Sequence, residues 1–180
     1  ANSRMNTLSA RLRSHFSNRA LDDDGDIAFT LENGASGTLV SSQVCAGEEN
    51  DMSIRIYGEN GGLEWRQMEP NSLIERRAGG EVIVHRAGID KPLCDEALRR
   101  CRLPAGHPEG YIEAFANLYR DFAQALCDSV SPITLGVPGI AEGLRGMAFL
   151  EAAVESSANS GAWTHIEAPS VGPDTKGLIA

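Results

Sequence analysis

The residues best suited to chemistry stand in one short stretch, Leu103-Pro104-Ala105-Gly106-His107-Pro108-Glu109-Gly110-Tyr111. An imidazole two residues from a carboxylate can exchange protons near neutral pH or hydrogen-bond hydroxyl groups. Gly106 and Pro108 confine His107 to a loop, directly ahead of a long helical pattern. Two roles fit this placement. His107 and Glu109 either face a small molecule in a cleft, or they cap and orient the helix entry, where a glutamate in the first turn favours the dipole. Tyr111 adds a hydrogen bond or packs. A hydrolase built on His107 and Glu109 would need a nucleophile, and no G-x-S-x-G supplies one.

Other chemistries find less support. His15, His85, His107 and His165 are scattered, and Cys45, Cys94, Cys101 and Cys127 form no C-x-x-C pair, so neither a zinc site nor an H-E-x-x-H pattern is present. The cysteines are expected as buried or free thiols, and the cytoplasm is the expected compartment, because the opening residues lack a secretory apolar stretch. The run Asp22-Asp23-Asp24-Gly25-Asp26 starts like a calcium loop, but Ile27 stands at the glycine position and Asn33 at the glutamate position. It reads as an acidic turn before a strand. The cluster Gly58-Glu59-Asn60-Gly61-Gly62 leads into another strand rather than a helix, so it predicts a hairpin and not a phosphate cradle.

The surrounding elements follow from periodicity. Ile27, Phe29 and Leu31 alternate with polar or small residues, Asn33-Gly34 turns the chain, and Gly37–Val44 returns. Met52–Tyr57, Leu63–Arg66, Ser72–Arg77 and Glu81–Arg86 continue as strands, with Ala78-Gly79-Gly80 at a hairpin tip. Short turns between consecutive strands predict an antiparallel sheet. A short helix is expected around Asp95–Cys101. Ile112, Phe115, Tyr119, Phe122 and Leu126 form a stripe at helical period, and Ile140, Leu144, Met147, Leu150 and Val154 form another after Pro138. Both stripes are expected to pack on the sheet. Gly143 and Gly146 are expected to allow close backbone approach, Gly161 to end the second helix, and Trp163–Glu167 to form a last short strand. Trp65 and Trp163 are expected as core or interface anchors.

Composition bounds the rest. The chain has 180 residues, 42% of them apolar, with 16 basic and 25 acidic residues and a net charge of −9. That balance argues against nucleic acid or an anionic membrane as partner, and no apolar run reaches the roughly 20 residues of a membrane span. Residues 1–20 hold Arg4, Arg11, Arg13 and Arg19 and no acid. They are expected as a flexible entry segment, or as the remnant of an element whose partner is missing. Residues 21–168 are expected as one domain and 169–180 as a loosely held tail.

Several segments together resemble the Gfo/Idh/MocA oxidoreductases. They are Asp22-Asp23-Asp24 through Phe29-x-x-Glu32-Asn33-Gly34-Ala35-x-Gly37-Thr38, then Ser42-Gln43 and Ile56-x-Gly58-x-x-Gly61-Gly62-Leu63-x-Trp65. Pro104-x-Gly106-His107-Pro108-Glu109-Gly110-Tyr111-x-Glu113-Ala114-Phe115-x-Asn117-x-Tyr119 and Phe149-x-x-Ala152-x-x-x-Ser156-Ser157-x-x-x-Gly161-x-Trp163 complete the series. The resemblance implies an α+β fold, a mainly antiparallel open β-sheet with helices packed on one face, as in the C-terminal domain of glyceraldehyde-3-phosphate dehydrogenase-like folds. It implies the substrate-binding and oligomerisation half of an enzyme that moves hydride between NAD or NADP and a sugar, inositol or related polyol. No G-x-G-x-x-G, E-K-P or D-x-x-x-H segment occurs in this chain, so the family's cofactor-binding and catalytic residues are expected outside it. With that implied role, His107, Glu109 and Tyr111 are the residues expected at the substrate site, beside the structural role given above, and the resemblance implies a homodimer or tetramer through the open sheet face. The competing reading is a noncatalytic binding or assembly module on the same sheet.

Overall fold

A computed structural model describes residues 3–88 and 94–167. The expected tail, 169–180, lies outside them. The chain divides into two compact units, one made of residues 1–46 and 138–180, the other of residues 47–137.

The first unit is a four-stranded antiparallel sheet with one helix. Its strands are β1 (Met5–Arg13), β2 (Asp24–Leu31), β3 (Ser36–Ser42) and, after the second unit, β8 (Thr164–His165), in the order β3-β2-β1-β8. Strand β1 corrects the expectation of a flexible entry segment: residues 5–13 form a nine-residue strand with neighbours on both sides. Its missing partner is the acidic run. Register sets Arg11 opposite Asp26 and Arg13 opposite Asp24. Arg11 pairs with Asp26 at 3.0 Å, and Arg13 pairs with Asp24 at 3.0 Å and also with Asp26. Two separate charge excesses in the sequence are therefore the two sides of one ladder. Buried Asp23 accepts the backbone N–H of His15 at 2.9 Å and fastens the turn between β1 and β2.

The opposite face of this sheet carries the core. Leu8, Ala10 and Ile27 pack with Ala152 and Ala153 of helix α3 (Ile140–Ala158), flanked by Phe29, Phe149 and Ile166. Phe29 lies across from Gly37, and a Cβ at Gly37 would stand 2.3 Å from the Phe29 ring. A side chain at 37 would have to move the end of that ring, and the glycine leaves it in place. Helix α3 turns its small-residue face, Ala148, Ala152, Ala153 and Ser156, inward. The expected stripe points the other way: Ile140, Met147, Leu150 and Val154 are exposed. Small side chains let the helix approach the strands closely, and polar grips complete the contact. Ser156 Oγ accepts the Ala10 N–H at 2.9 Å and donates to the Ala162 carbonyl at 2.6 Å, while Ser157 Oγ accepts the Leu12 N–H at 3.0 Å. The short strand β8 pairs only with Thr7 and Leu8, so these serines satisfy β1 amides beyond its end. Gly143 and Gly146 meet no neighbour, contrary to the close packing expected of them. Gly161 does end the helix, its N–H donating to the Ser156 carbonyl at 2.8 Å.

The second unit is an antiparallel meander, β4 (Ser53–Gly58), β5 (Gly61–Arg66), β6 (Ser72–Arg77) and β7 (Val82–Arg86), paired in sequence order. It is followed by the short helix α1 (Asp95–Leu98), the long helix α2 (Tyr111–Cys127) and a 3₁₀ turn, Pro132–Leu135. The Gly58–Gly62 cluster is the expected hairpin, with Gly58 opposite Gly61. Gly61 has φ +154°, and a Cβ there would stand 2.2 Å from the Arg76 carbonyl oxygen. The single sheet expected from consecutive strands is instead two four-stranded sheets, with β3 at an edge of the first and β4 at an edge of the second.

On one face of the second sheet, Glu64 is buried among the guanidinium groups of Arg76, Arg66 and Arg55, at 2.9, 2.8 and 3.4 Å. Hydrogen bonds from Arg76 and then Arg66 lower its carboxyl to a pKa of about 2. The other face carries Ile54, Ile56 and Leu63, all exposed.

Candidate substrate site loop

The loop that holds His107 is built within the second unit and is fastened at both ends. At its start, the Arg102 side chain donates from Nε to Asn117 Oδ1 at 2.9 Å, and Asn117 Nδ2 donates to the Arg100 carbonyl at 2.8 Å. At its end, Glu109 closes the loop on itself: Oε1 accepts the N–H groups of Arg102 at 2.7 Å and Leu103 at 2.9 Å. The backbone of Glu109 is clasped by Asn71, which lies just before β6. Its N–H donates to Asn71 Oδ1 at 3.0 Å and its carbonyl accepts from Asn71 Nδ2 at 2.8 Å.

Between these anchors the chain turns at Pro104–His107. Gly106 has φ +85°, and the His107 N–H donates to the Pro104 carbonyl at 3.1 Å. The His107 imidazole is exposed, and its Nδ1 is 3.2 Å from the same carbonyl. A carbonyl oxygen can only accept, so the neutral ring carries its proton on Nδ1 and presents Nε2 with a lone pair. Nε2 can accept a hydrogen bond from a hydroxyl group or take up a proton. The Tyr111 ring, also exposed, lies 4.7 Å from that of Phe115 at a 42° tilt.

Helix α2 starts where the loop ends. Its N-cap is Gly110, whose N–H donates to Glu113 Oε2 at 2.8 Å, and this bond lowers the Glu113 carboxyl below its usual range. Glu113, rather than Glu109, is the glutamate of the helix entry. The inward face of α2 is polar: Asn117, Asp121 and Ala125 are its buried residues, at four-residue intervals. Asp121, 3% exposed, takes a 2.9 Å bond from Arg100 and a 3.1 Å bond from Arg120, with Arg99 at 3.8 Å. Burial opposes ionisation of this carboxyl, and the bonds from Arg120 and Arg100 outweigh it, leaving the pKa below the ordinary value. The Arg99 and Arg100 guanidinium groups also donate to the Leu135 carbonyl, at 3.1 and 2.9 Å. This network tells why the expected stripe is not the core face: Ile112, Phe115, Tyr119, Phe122 and Leu126 are exposed, from 44% at Phe115 to 78% at Ile112.

The three residues singled out in the sequence therefore follow one another along the loop and into the first turn of α2, but differ in what they do there. His107 and Tyr111 are exposed, while the Glu109 carboxylate is engaged by loop amides. Asn71, Asn117 and Asp121 were not foreseen. The spacing of Asn117 and Asp121 on one helical row is a readable signal, whereas nothing in the sequence links Asn71 to a loop 38 residues away. The shallow hollow beside the Gly58–Gly62 turn, lined by Ile56, Leu63, Glu75 and Arg76, includes none of the three expected residues. That turn joins two strands and opens no helix, so the residues present do not fit a dinucleotide and no cofactor contact is assigned to them. All four cysteines are free, and Cys45, Cys94 and Cys127 are exposed. Among the described residues no cluster of histidine, cysteine and carboxylate side chains could hold a metal ion, and no helix is long and apolar enough to cross a membrane.

Residues 2–166 match the model of the oxidoreductase family, C-terminal alpha/beta domain. The chain belongs to this Gfo/Idh/MocA family. It is 32% identical over 156 residues to the uncharacterized oxidoreductase YfiI of Bacillus subtilis (strain 168), covering 82% of this chain and 38% of that protein. Among solved structures, an oxidoreductase from Sinorhizobium meliloti is 37% identical with a TM-score of 0.83, covering 89% of this chain and 46% of that one. An inositol dehydrogenase homolog from Azotobacter vinelandii, complexed with NADH and myo-inositol, is 34% identical with a TM-score of 0.84, covering 91% and 45%. The chain thus spans less than half the length of these relatives. The expected α+β fold of the Gfo/Idh/MocA C-terminal domain, with its antiparallel strands and amphipathic helices, is the fold observed.

Proposed function

We propose that this chain serves as the substrate and assembly domain of an NAD- or NADP-dependent dehydrogenase acting on a sugar, inositol or related polyol. The observation that carries the reading is the family match across residues 2–166, joined to a relative that binds NADH and myo-inositol. The braced loop supports it. His107 offers Nε2 as an acceptor for a substrate hydroxyl, Tyr111 offers a phenol at the start of the helix that follows, and Glu109 contributes by shaping the loop. The nicotinamide cofactor and the hydride-transfer residues belong, on this reading, to sequence outside the chain, and the chain alone is inactive.

The test is a coupled one. The full-length enzyme should reduce NAD or NADP with myo-inositol or a related polyol, and the 180-residue chain should not. In the full-length enzyme, His107→Ala should lower kcat/KM for the polyol by about tenfold, the worth of one strong hydrogen bond, with cofactor affinity unchanged. Unaltered kinetics across the accepted polyols would remove His107 from the substrate site. Calorimetry showing micromolar NAD affinity for the isolated chain would contradict the division of labour.

The same reading makes the domain a homodimer, or a tetramer of such dimers, through the open sheet face. Support comes from the exposed Ile54, Ile56 and Leu63 on one face of the second sheet. Sedimentation of the chain at micromolar concentration should give at least twice its 19.2 kDa. A clean monomer is the outcome that sinks it.

A further inference from the structure

We propose that Asn71 is a positioning residue for His107. The inference rests on the reading of His107 as a substrate contact and adds to it the device that aims the imidazole.

The geometry is a two-point clasp. Asn71 Oδ1 accepts the Glu109 N–H at 3.0 Å and Asn71 Nδ2 donates to the Glu109 carbonyl at 2.8 Å, so one side-chain amide pairs with both polar groups of a single residue. It does for Glu109 what a neighbouring strand would do. Asn71 is itself fixed by the sheet: its carbonyl accepts the Ala87 N–H at 3.0 Å, extending the β6–β7 ladder by one rung. The clasp therefore transfers the position of the sheet to the far end of the loop.

From Glu109 the constraint passes to His107 along two routes. One is covalent, through Pro108, whose ring limits the backbone. The other is the Glu109 carboxylate, which holds the Arg102 and Leu103 amides and so fixes the start of the loop relative to its end. Among the described residues His107 bonds only to the Pro104 carbonyl, which lies inside the same loop. Gly106, with φ +85°, has no atom near its missing Cβ, while Ala105 beside it lies close to Gly88, beyond β7, 3.4 Å from where a Cβ there would stand. The direction of the imidazole is thus set by the anchors: Asn117 of α2 holds the start of the loop, and Asn71 ties its end to the sheet. A catalytic or binding group held on a loop needs such support to keep its geometry.

The experiment compares Asn71→Ala, His107→Ala and the double variant in the full-length enzyme, with amide hydrogen exchange alongside kinetics. Asn71→Ala should speed exchange at Arg102, Leu103 and Glu109 by about tenfold while leaving the β5 and β6 amides at their wild-type rates. It should lower kcat/KM for the polyol by about as much as His107→Ala, leave KM for the cofactor unchanged, and cause no further loss in the His107→Ala background. Asn71→Asp keeps the acceptor for the Glu109 N–H but opposes the Glu109 carbonyl with a second acceptor, and should not restore wild-type kinetics. Unchanged exchange in Asn71→Ala would overturn the clasp. Faster exchange with wild-type kinetics, while His107→Ala is impaired, would overturn the positioning role and leave the site reading intact. Wild-type kinetics for His107→Ala would overturn the site reading and this inference with it.

Discussion

The two units hold themselves together by different means. In the first, the buried set is mostly apolar: Leu8, Ala10, Ile27, Ala148, Ala152 and Ala153, with Ser156 and Asp23 tied to backbone groups. In the second, the buried residues among those described are Glu64, Asn117, Asp121 and Ala125. One is a sheet and helix joined by a small hydrophobic core. The other is a meander and a helix, each organised around a carboxylate ringed by arginines. The comparison teaches that side-chain polarity is a poor guide to the inside of this protein. A charge goes inside when enough partners surround it, and a large apolar residue stays outside when small ones fit better against the strands.

The largest effect is expected in the apolar core of the first unit. Leu8 is fully buried, and Leu8→Ala should cost about 3 kcal/mol of stability, within the range for deleting a buried leucine side chain. Urea unfolding measures it, and a loss below about 1 kcal/mol would mean that this core does not organise the first unit. Next comes Asp121→Asn, which removes the charge but keeps the shape. It leaves Arg100 and Arg120 facing a neutral amide in a buried place, and should cost about 2 kcal/mol. The exposure of the arginine side chains, about a third each, keeps the figure below that of a fully buried pair. An Asp121→Asn variant as stable as the parent would make the polar face of α2 incidental.

The smallest effect concerns acid, and it sharpens the contrast most. Glu64 has a folded pKa of about 2, against about 4.5 for an ordinary glutamate, and that of Asp121 is also lowered. A carboxyl with a depressed folded pKa adds stability above its unfolded value and loses it as pH falls toward the folded one. The second unit should therefore loosen between about pH 4.5 and pH 2. Amide exchange at pH 3 should rise first in β5, β6 and α2, while Leu8, Ala10 and Ile27 stay protected. The first unit is not wholly exempt, since His15 and then Arg13 lower Asp24 on its outer face. Equal loss of protection in both units would erase the distinction.

Much of the local structure was legible. Alternation and turn chemistry identified β2 through β7, because a strand's period and a glycine's freedom at positive φ act over a few residues. Gly34 and Gly80 have the positive φ that those turns need. The His107 loop was also legible, as glycine and proline mark a loop wherever they stand. Strand β1 was missed because its arginines and serines suggest solvent until the acidic β2 is placed beside them. The two helices were found with the wrong face turned inward. In each the hydrophobic stripe faces outward, and the buried row is of small or polar residues instead.

The sequence alone determined the hairpins, the two long helices, the loop that presents His107 and the family to which the chain belongs. These depend on backbone preferences and short spacings that act over a few residues. Only the tertiary structure decided which helix face is buried, what the charged residues do and how the loop is held. Arg13 meets Asp24, Glu64 meets Arg76 and Asn71 meets Glu109 across gaps of 11, 12 and 38 residues. A charge or an amide takes its meaning from its partner, and the fold is what brings that partner within 3 Å.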